Sequence, residues 1–231
     1  MENHNPVDDA IRKTFSGGFS SQPVPRAAVE EILALARRAP SGVNTQPWNV
    51  FVLQGEARAA LVGAATGAVP GLVTDSAIQS AFWERFNRRP GTSQWPAEGP
   101  PQAGDEFLSE AMLAIPHDPV RAQADLARYF RFFDAPVGLM FTISRSLGSG
   151  SLLDYGMFLQ TLTLAARARG LRSCVQTGWK GLADTVLAQL EAPDDALLVC
   201  GMALGYGDAT QAPVSAPVDV PPAGSFITWH N

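Results

Sequence analysis

Short apolar segments that alternate with longer helical patterns are the feature that most constrains the fold of this chain. Four segments, 49–53, 137–143, 171–175 and 197–204, have the length and composition of buried strands. Apolar residues recur at helical spacing in the stretches between them. The predicted helices cover 6–14, 26–39, 55–65, 76–88, 105–113, 119–131, 152–169 and 182–190. Strands that alternate with helices predict a layered α/β or α+β domain.

Two regions interrupt this pattern. Proline and glycine are dense over residues 89–104, which we interpret as a loop within a lid-like insertion at about 76–118. Four prolines in 212–231 exclude a regular helix, so this segment is predicted to form an extended C-terminal arm. We expect one domain over residues 1–231.

Composition limits the classes of function. The chain has 231 residues, of which 46% are hydrophobic, and a net charge of −5. This is enough apolar material for a large core. Nucleic-acid binding is not expected, because it needs a contiguous cationic surface and the net charge of this chain is negative. The N-terminus lacks a signal sequence, which predicts a cytoplasmic protein. The longest apolar run, 152–166, contains Asp154 and Gln160 and is too short for a membrane span. Cys174 and Cys200 lie in apolar segments and are expected to be reduced.

The loop Ala39–Trp48 concentrates polar side chains between a predicted helix and a predicted strand. Ser41, Asn44 and Gln46 carry hydroxyl and amide groups suited to the polar edge of a planar ligand. Pro40 and Pro47 restrict the backbone around them. By chemistry alone, an ordinary connecting loop with an aromatic anchor is the favoured interpretation, because loops of this composition are common.

Several separated motifs in this chain, taken in order, resemble the FMN-dependent nitroreductase family. The loop Ala39–Trp48 is the first of them. The others are 130–138 (FRFFDAPVG), 156–162 (GMFLQTL), 165–171 (AARARGL) and 199–206 (VCGMALGY). Together they span nearly the whole chain.

The resemblance implies a fold, a cofactor and an activity. The fold would be α+β, with a central mixed or antiparallel sheet surrounded by helices, in an intertwined homodimer whose C-terminal arm crosses the partner. The apolar helix 152–169 is the candidate interface. FMN would carry hydride from NAD(P)H to an electron-poor planar substrate, such as a nitroaromatic or a quinone, so no catalytic side chain is expected.

The same resemblance assigns cofactor-binding residues. Pro40, Ser41, Gly42 and Asn44 would reach the flavin from the neighbouring subunit. Gln176, Thr177 and Gly178 follow a strand at the place where the family's backbone approaches the ring, although a solvated turn is the alternative interpretation. The phosphate would lie near Arg12, Lys13, Thr14, Ser16 and Gly17.

The phosphate segment departs from the family pattern of arginine, any residue, serine, any residue, then arginine or lysine. Phe15 replaces the serine and Gly17 replaces the second cation, and Ser215–Val218 stands where relatives commonly carry an arginine. Two alternative functions therefore remain open. One is a binding module for flavin or another small ligand without catalysis, and the other is a specialised flavin-dependent oxidation.

Aromatic residues are frequent in and beside the predicted insertion. They predict a substrate pocket over the flavin, or alternatively a simple cover for the core. The residues are Phe82, Trp83, Phe86, Trp95 and Phe107.

Other binding motifs are not supported. Gly201, Gly205 and Gly207 superficially resemble a dinucleotide loop, but Pro213 and Pro217 follow where that loop needs a helix. The three histidines and two cysteines lack metal-ligand spacing, so no metal is expected.

Overall fold

The computed structural model describes residues 5–12, 18–86, 108, 111–112, 115–211 and 222–230, with the side chain of Arg12 excepted. Within these ranges seven helices are bounded as follows: α1 Pro6–Arg12, α2 Arg26–Ala36, α3 Gly55–Thr74, α4 Ser76–Phe86, α5 Pro119–Tyr129, α6 Gly150–Arg167 and α7 Ala183–Gln189. Single-turn helices cover Gly42–Asn44, Phe132–Asp134, Thr177–Leu182 and Ala223–Ser225.

Five strands form one antiparallel sheet: β1 Gly18–Phe19, β2 Asn49–Leu53, β3 Val137–Ser144, β4 Leu171–Gln176 and β5 Ala196–Asp208. β5 is central because it pairs with β3 along one edge and with β4 along the other. β2 extends the sheet beyond β3, and β1 pairs with the end of β5. The predicted α+β class, with a sheet surrounded by helices, is confirmed.

Each face of the sheet is covered by its own hydrophobic core. On one face α2 and α6 pack their apolar stripes, including Ile32 and Phe158, against alternate residues of β3 such as Leu139 and Phe141. The opposite face is covered by α3, α4, α5 and α7. Strand residues alternate between the two cores, as the two-residue period of a strand requires. The result is a sheet between two layers of helices.

Glycines allow aromatic rings to lie directly on the sheet backbone. A β-carbon at Gly138 would collide with the ring of Phe132, and one at Gly201 would collide with the indole of Trp179. Both rings are fully buried. Phe132 begins a turn in which three non-glycine residues, Phe132, Phe133 and Asp134, have positive φ. Steric fit between the ring and the glycine thus explains the motif at 130–138.

The structure corrects three details of the sequence prediction. α3 continues to Thr74 instead of ending at 65, because Val69, Leu72 and Val73 prolong its buried stripe past Gly67 and Pro70. β1 was not predicted because two residues carry no periodicity. β2 is an edge strand of which only Leu53 is buried, so the prediction of a fully buried strand is wrong for the single chain.

Among the described residues α3 is the one helix whose length and composition would suffice to cross a membrane. Its buried residues, Leu61 and Val69 among them, belong to the core described above. Core helices also satisfy such a criterion.

Candidate functional site

The loop between α2 and β2 projects polar groups from the protein. Residues 42–46 are exposed, and the side chain of Val43 is 98% exposed. Val43, Asn44 and Gln46 have positive φ values of 45°, 60° and 45°. Such conformations cost about 1–3 kcal/mol each outside glycine and persist where the surroundings enforce them. This backbone is therefore held in a strained shape at the surface.

Hydrogen bonds within the loop leave specific groups available. The Gln46 N–H donates to Ser41 Oγ at 3.0 Å, and Gln46 Nε2 donates to Asn44 Oδ1 at 2.9 Å. Within the described part of the chain, the Ser41 O–H, the Asn44 amide nitrogen and the Gln46 amide oxygen have no further partner. The loop thus offers two donors and one acceptor to another molecule.

Helix α6 holds the loop through two hydrogen bonds and one ring contact. Gly42 N–H donates to Asp154 Oδ1 at 3.2 Å, and the Tyr155 hydroxyl accepts the Asn49 N–H at 3.2 Å. Trp48 stacks on Phe158 with a distance of 4.7 Å between ring centroids. Sequence reasoning assigned no role to Asp154. Its signal was available, because a carboxylate within an otherwise apolar helix requires an explanation.

The turn after β4 directs its polar groups into the core. The Gln176 side chain is fully buried: its Nε2 donates to Tyr129 O at 2.6 Å and its Oε1 accepts from Trp179 Nε1 at 3.3 Å. Gly178 N–H donates to the Tyr129 hydroxyl at 2.8 Å. The prediction concerned the backbone of this turn, and in the single chain the Gln176 side chain and the Gly178 N–H are both bonded within the core. Both groups bond to Tyr129, one to its carbonyl oxygen and the other to its hydroxyl.

Thr177, in the same turn, has a different environment. Its hydroxyl oxygen is buried and has no hydrogen-bond partner among the described residues. Buried polar atoms are normally paired, so an orphan hydroxyl in a turn predicted to contact a ligand is notable. Of the three predicted residues here, Thr177 keeps a polar side-chain atom that no other described residue uses.

The predicted aromatic pocket is part of the core where it is described. Phe82 is 1% exposed, and its ring lies where a β-carbon at Gly181 would be. Phe86 is buried as well, and Trp83 packs edge-on against both rings. The structure favours the core interpretation for Phe82 and Phe86. Trp95 and Phe107 lie outside the described residues.

The predicted phosphate segment is mostly outside the described part: this applies to residues 13–17 and to the side chain of Arg12. Its neighbourhood is visible at β1, where Gly18 pairs with Asp208 and Phe19 with Gly207. The guanidinium of Arg172, on β4, occupies the space that a side chain at Gly207 would need. A cation not considered in the sequence prediction therefore lies at the end of the sheet where β1 begins.

The remaining titratable groups do not form a second centre in the described ranges. No cluster of three or more metal-ligating side chains occurs among these residues. Cys174 and Cys200 are free thiols, and burial raises the pKa of Cys200 to about 12, so that its thiol stays protonated at neutral pH. The candidate site residues form two separate groups in the single chain: the loop 40–46 with its support on α6, and the turn at 176–178.

Known proteins with a similar sequence are reductases of nitroaromatic compounds by name. The model of the nitroreductase family matches residues 12–206. The chain is 38% identical to the nitrobenzene nitroreductase of Ectopseudomonas oleovorans over 87% of each chain. It is 39% identical to the chloronitrobenzene nitroreductase of Comamonas testosteroni, covering 89% of this chain and 88% of that protein.

Solved structures agree with this result. The FMN and NADPH-dependent nitroreductase NfnB from Sphigopyxis sp. strain HMH superposes with a TM-score of 0.73 at 31% identity, covering 97% of this chain and 99% of that chain. The FMN-dependent NfnB of Mycobacterium smegmatis, solved with NADPH, gives a TM-score of 0.74 at 26% identity over 98% of each chain. The chain therefore belongs to the nitroreductase family.

Proposed function

We propose that this chain is an FMN-dependent oxidoreductase that reduces nitroaromatic compounds with electrons from NAD(P)H. The relatives named above include reductases of nitrobenzene and of chloronitrobenzene, and a 4-nitrobenzoate reductase of Pseudomonas putida is 37% identical over 82% of this chain. The observation that carries the proposal is the exposed loop with its unused polar groups, at the position where the family motif begins.

The ring edge of FMN fits the loop chemically. The pyrimidine edge of an isoalloxazine presents two carbonyl acceptors on either side of one N–H donor. The Ser41 O–H and the Asn44 amide nitrogen would serve the acceptors, and the Gln46 amide oxygen would serve the donor. Pro40 and Gly42 would bring their backbone against the same edge. FMN, when bound, supplies the hydride chemistry, and the protein binds and orients it.

The turn at 176–178 would form the other wall of the site. The Gln176 and Gly178 contacts with Tyr129 hold the turn rigid, and the orphan hydroxyl of Thr177 would gain a partner in a bound ring. A rigid, preorganised wall helps because FMN binding then orders few additional groups.

The phosphate end requires cations from several places. Arg12, Lys13, Thr14, Ser16 and Gly17 are the residues we propose for it, by their position before β1. Arg172, which packs over Gly207 beside β1, is a further candidate. A charge-assisted hydrogen bond contributes about 1.5–3 kcal/mol, so one added cation would compensate for much of the loss at Gly17.

We further propose a cytoplasmic homodimer in which the loop of one subunit serves the site of the other. Large apolar side chains remain exposed on several elements of the single chain. They include Val52, Leu153, Val175, Phe226 and Trp229. Of these, Leu153 is on α6, the predicted interface helix, and Phe226 and Trp229 are on the predicted C-terminal arm. A partner subunit would remove this apolar surface from water.

Reconstitution tests the proposal. Purified apoprotein is supplied with FMN, and NADPH or NADH oxidation is followed with nitrobenzene or 4-nitrobenzoate as acceptor. We expect oxidation that requires both FMN and a nitroarene, and a nitroso or more reduced product. A protein that binds no FMN, or that binds it without nitroarene-dependent turnover, would contradict the proposal and favour a binding module. Oxygen uptake without a nitroarene would favour a specialised oxidation.

A further inference from the structure

Asp154 is a buried carboxylate that the stability of the fold does not explain. It lies on the apolar helix α6 and is 8% exposed. Its one hydrogen bond within the described part of the chain is the 3.2 Å bond from Gly42 N–H. Burial of a carboxylate is unfavourable unless charges and donors compensate for it. A single amide donor compensates only in part, so this carboxylate is an unfavourable choice for packing alone.

The Asp154 carboxylate contacts the start of the strained loop, at Gly42. Gly42 begins the turn in which Val43 and Asn44 have left-handed backbone conformations, and Gln46 adopts a third. These conformations do not arise from local preference, least of all for the β-branched Val43. Bonds within the loop, such as Gln46 N–H to Ser41 Oγ, hold part of this shape, and Asp154 adds a contact from outside the loop.

Helix α6 holds the loop at both ends. Asp154 accepts from Gly42 at the beginning, while Phe158, one helical turn later, stacks on Trp48 at the end. Between them Tyr155 accepts the Asn49 N–H and donates to Thr142 O at 2.6 Å. Residues four apart on a helix share one face, so α6 presents a single surface that fixes both ends of the segment 42–49.

We propose that Asp154 is a positioning residue: by accepting the Gly42 N–H, it keeps the loop 41–46 in the strained shape that presents Ser41, Asn44 and Gln46 to FMN. This inference rests on the proposed function for its ligand. It acts through the backbone of Gly42, and Asp154 itself does not touch the ring. An energetically costly group is thus retained for the sake of the site.

The proposal predicts opposite effects on stability and on binding. Asp154→Leu removes the buried charge and keeps a similar volume, so the melting temperature of the apoprotein should be unchanged or higher. The same change releases Gly42, and FMN affinity should fall by about tenfold or more, the range of one to two lost hydrogen bonds. A purely structural role predicts the reverse, a lower melting temperature with unchanged affinity.

The test compares Asp154→Leu with Asp154→Asn, which keeps an acceptor oxygen in the same place. Thr161→Val is the control, because it also removes a polar group from α6 but one that bonds only within the helix, to Met157 O. FMN affinity is measured by fluorescence titration. We expect Asp154→Asn and Thr161→Val to stay within about threefold of the unaltered protein. Unchanged affinity in Asp154→Leu, or an equal loss in Asp154→Asn, would overturn the proposal.

Hydrogen exchange of the peptide covering 40–49, measured in the apoprotein, gives a readout that needs no flavin. We expect faster exchange in Asp154→Leu and unaltered exchange in Thr161→Val. Identical exchange in Asp154→Leu would overturn the inference even if FMN binds. If the unaltered protein binds no FMN, the proposed function fails while this exchange measurement still decides whether Asp154 restrains the loop. Should Asp154→Leu not fold, Asp154→Ser, too short to reach Gly42, takes its place under the same criteria.

Discussion

The loop 41–46 and the turn 176–179 were both predicted to face the flavin, yet they use their polar groups in opposite ways. The loop is exposed, strained and leaves donors and an acceptor available. In the turn Gln176, Gly178 and Trp179 are buried, and their hydrogen bonds end on one another or on Tyr129. The loop leaves polar groups available at the surface, whereas the polar groups of the turn are mostly satisfied within the core.

This difference separates two requirements of a binding site. A group that contacts a ligand must be without an internal partner in the free protein, and this costs least free energy where water can reach the group. A wall that positions the ligand must not move, so its polar groups are satisfied internally. Substitutions in the two regions should therefore affect different observables: stability in the turn and its surroundings, affinity in the loop.

The largest effect is expected from Phe82→Ala, which tests the core beneath the turn. Phe82 is 1% exposed and packs against Gly181, so its removal leaves a cavity. We expect a loss of about 3–5 kcal/mol in the free energy of unfolding, measured with urea. Val120→Ala, at an 80% exposed position, is the control and should change it by less than about 0.5 kcal/mol. Ordinary stability with a lost nitroarene preference would restore the predicted role of Phe82 as a pocket residue.

Tyr129→Phe tests the internal bonding of the turn. It removes the hydroxyl that accepts Gly178 N–H and leaves a buried amide unpaired. The expected cost is about 1–3 kcal/mol in the free energy of unfolding. Tyr206→Phe serves as the control, since the Tyr206 hydroxyl makes no hydrogen bond in the described ranges. Equal stability of the two variants would mean that the turn does not depend on Tyr129.

Asn44→Ala tests the loop. Asn44 has a φ of 60°, which alanine tolerates less well, and its amide oxygen accepts from Gln46, so the free energy of unfolding should fall by about 0.5–1 kcal/mol, less than the cost expected at Tyr129. FMN affinity should fall about threefold to tenfold, as for the loss of one hydrogen bond. Thermal unfolding of the apoprotein and fluorescence titration measure the two quantities. A variant that loses stability but not FMN affinity would mean that Asn44, like Gln176, serves the fold and not the ligand.

The smallest effect concerns strain in the loop. Val43 has a φ of 45°, a conformation that asparagine tolerates far better than valine. Val43→Asn should therefore raise the free energy of unfolding by about 0.5–1 kcal/mol. Val120→Asn, at a helical position with ordinary backbone, should not raise it. A loss of stability in Val43→Asn would show that the loop is not strained in the free protein.

The sequence predicted the periodic part of this fold well. Strands β3, β4 and β5 and most helices lie where the apolar spacing predicted them. A strand buries alternate residues and a helix buries every third or fourth, and both periods can be recognised in a short stretch of sequence. α3 continues beyond its predicted end at 65, through Gly67 and Pro70, because its buried stripe packs into the core. Local propensity yields wherever enough apolar surface is buried.

The site was predicted only as far as motifs allowed. The loop 40–46 was recognised by composition and resemblance. The inward orientation of Gln176 was not, because its partner Tyr129 is 47 positions away in the sequence. The partner of Asp154 could not be predicted for the same reason, as 112 positions separate it from Gly42. Spacing along a chain does not reveal which distant backbone group a buried side chain will meet.

A single spectroscopic titration tests whether FMN bound to this protein passes electrons from NADPH to a nitroarene. Apoprotein is titrated with FMN under anaerobic conditions, then with one equivalent of NADPH and finally with nitrobenzene, while the visible absorption is recorded. We expect the spectrum of a bound oxidised flavin, which bleaches with NADPH and returns with nitrobenzene. A protein that leaves FMN free in solution, or a bound flavin that nitrobenzene does not reoxidise, would contradict it.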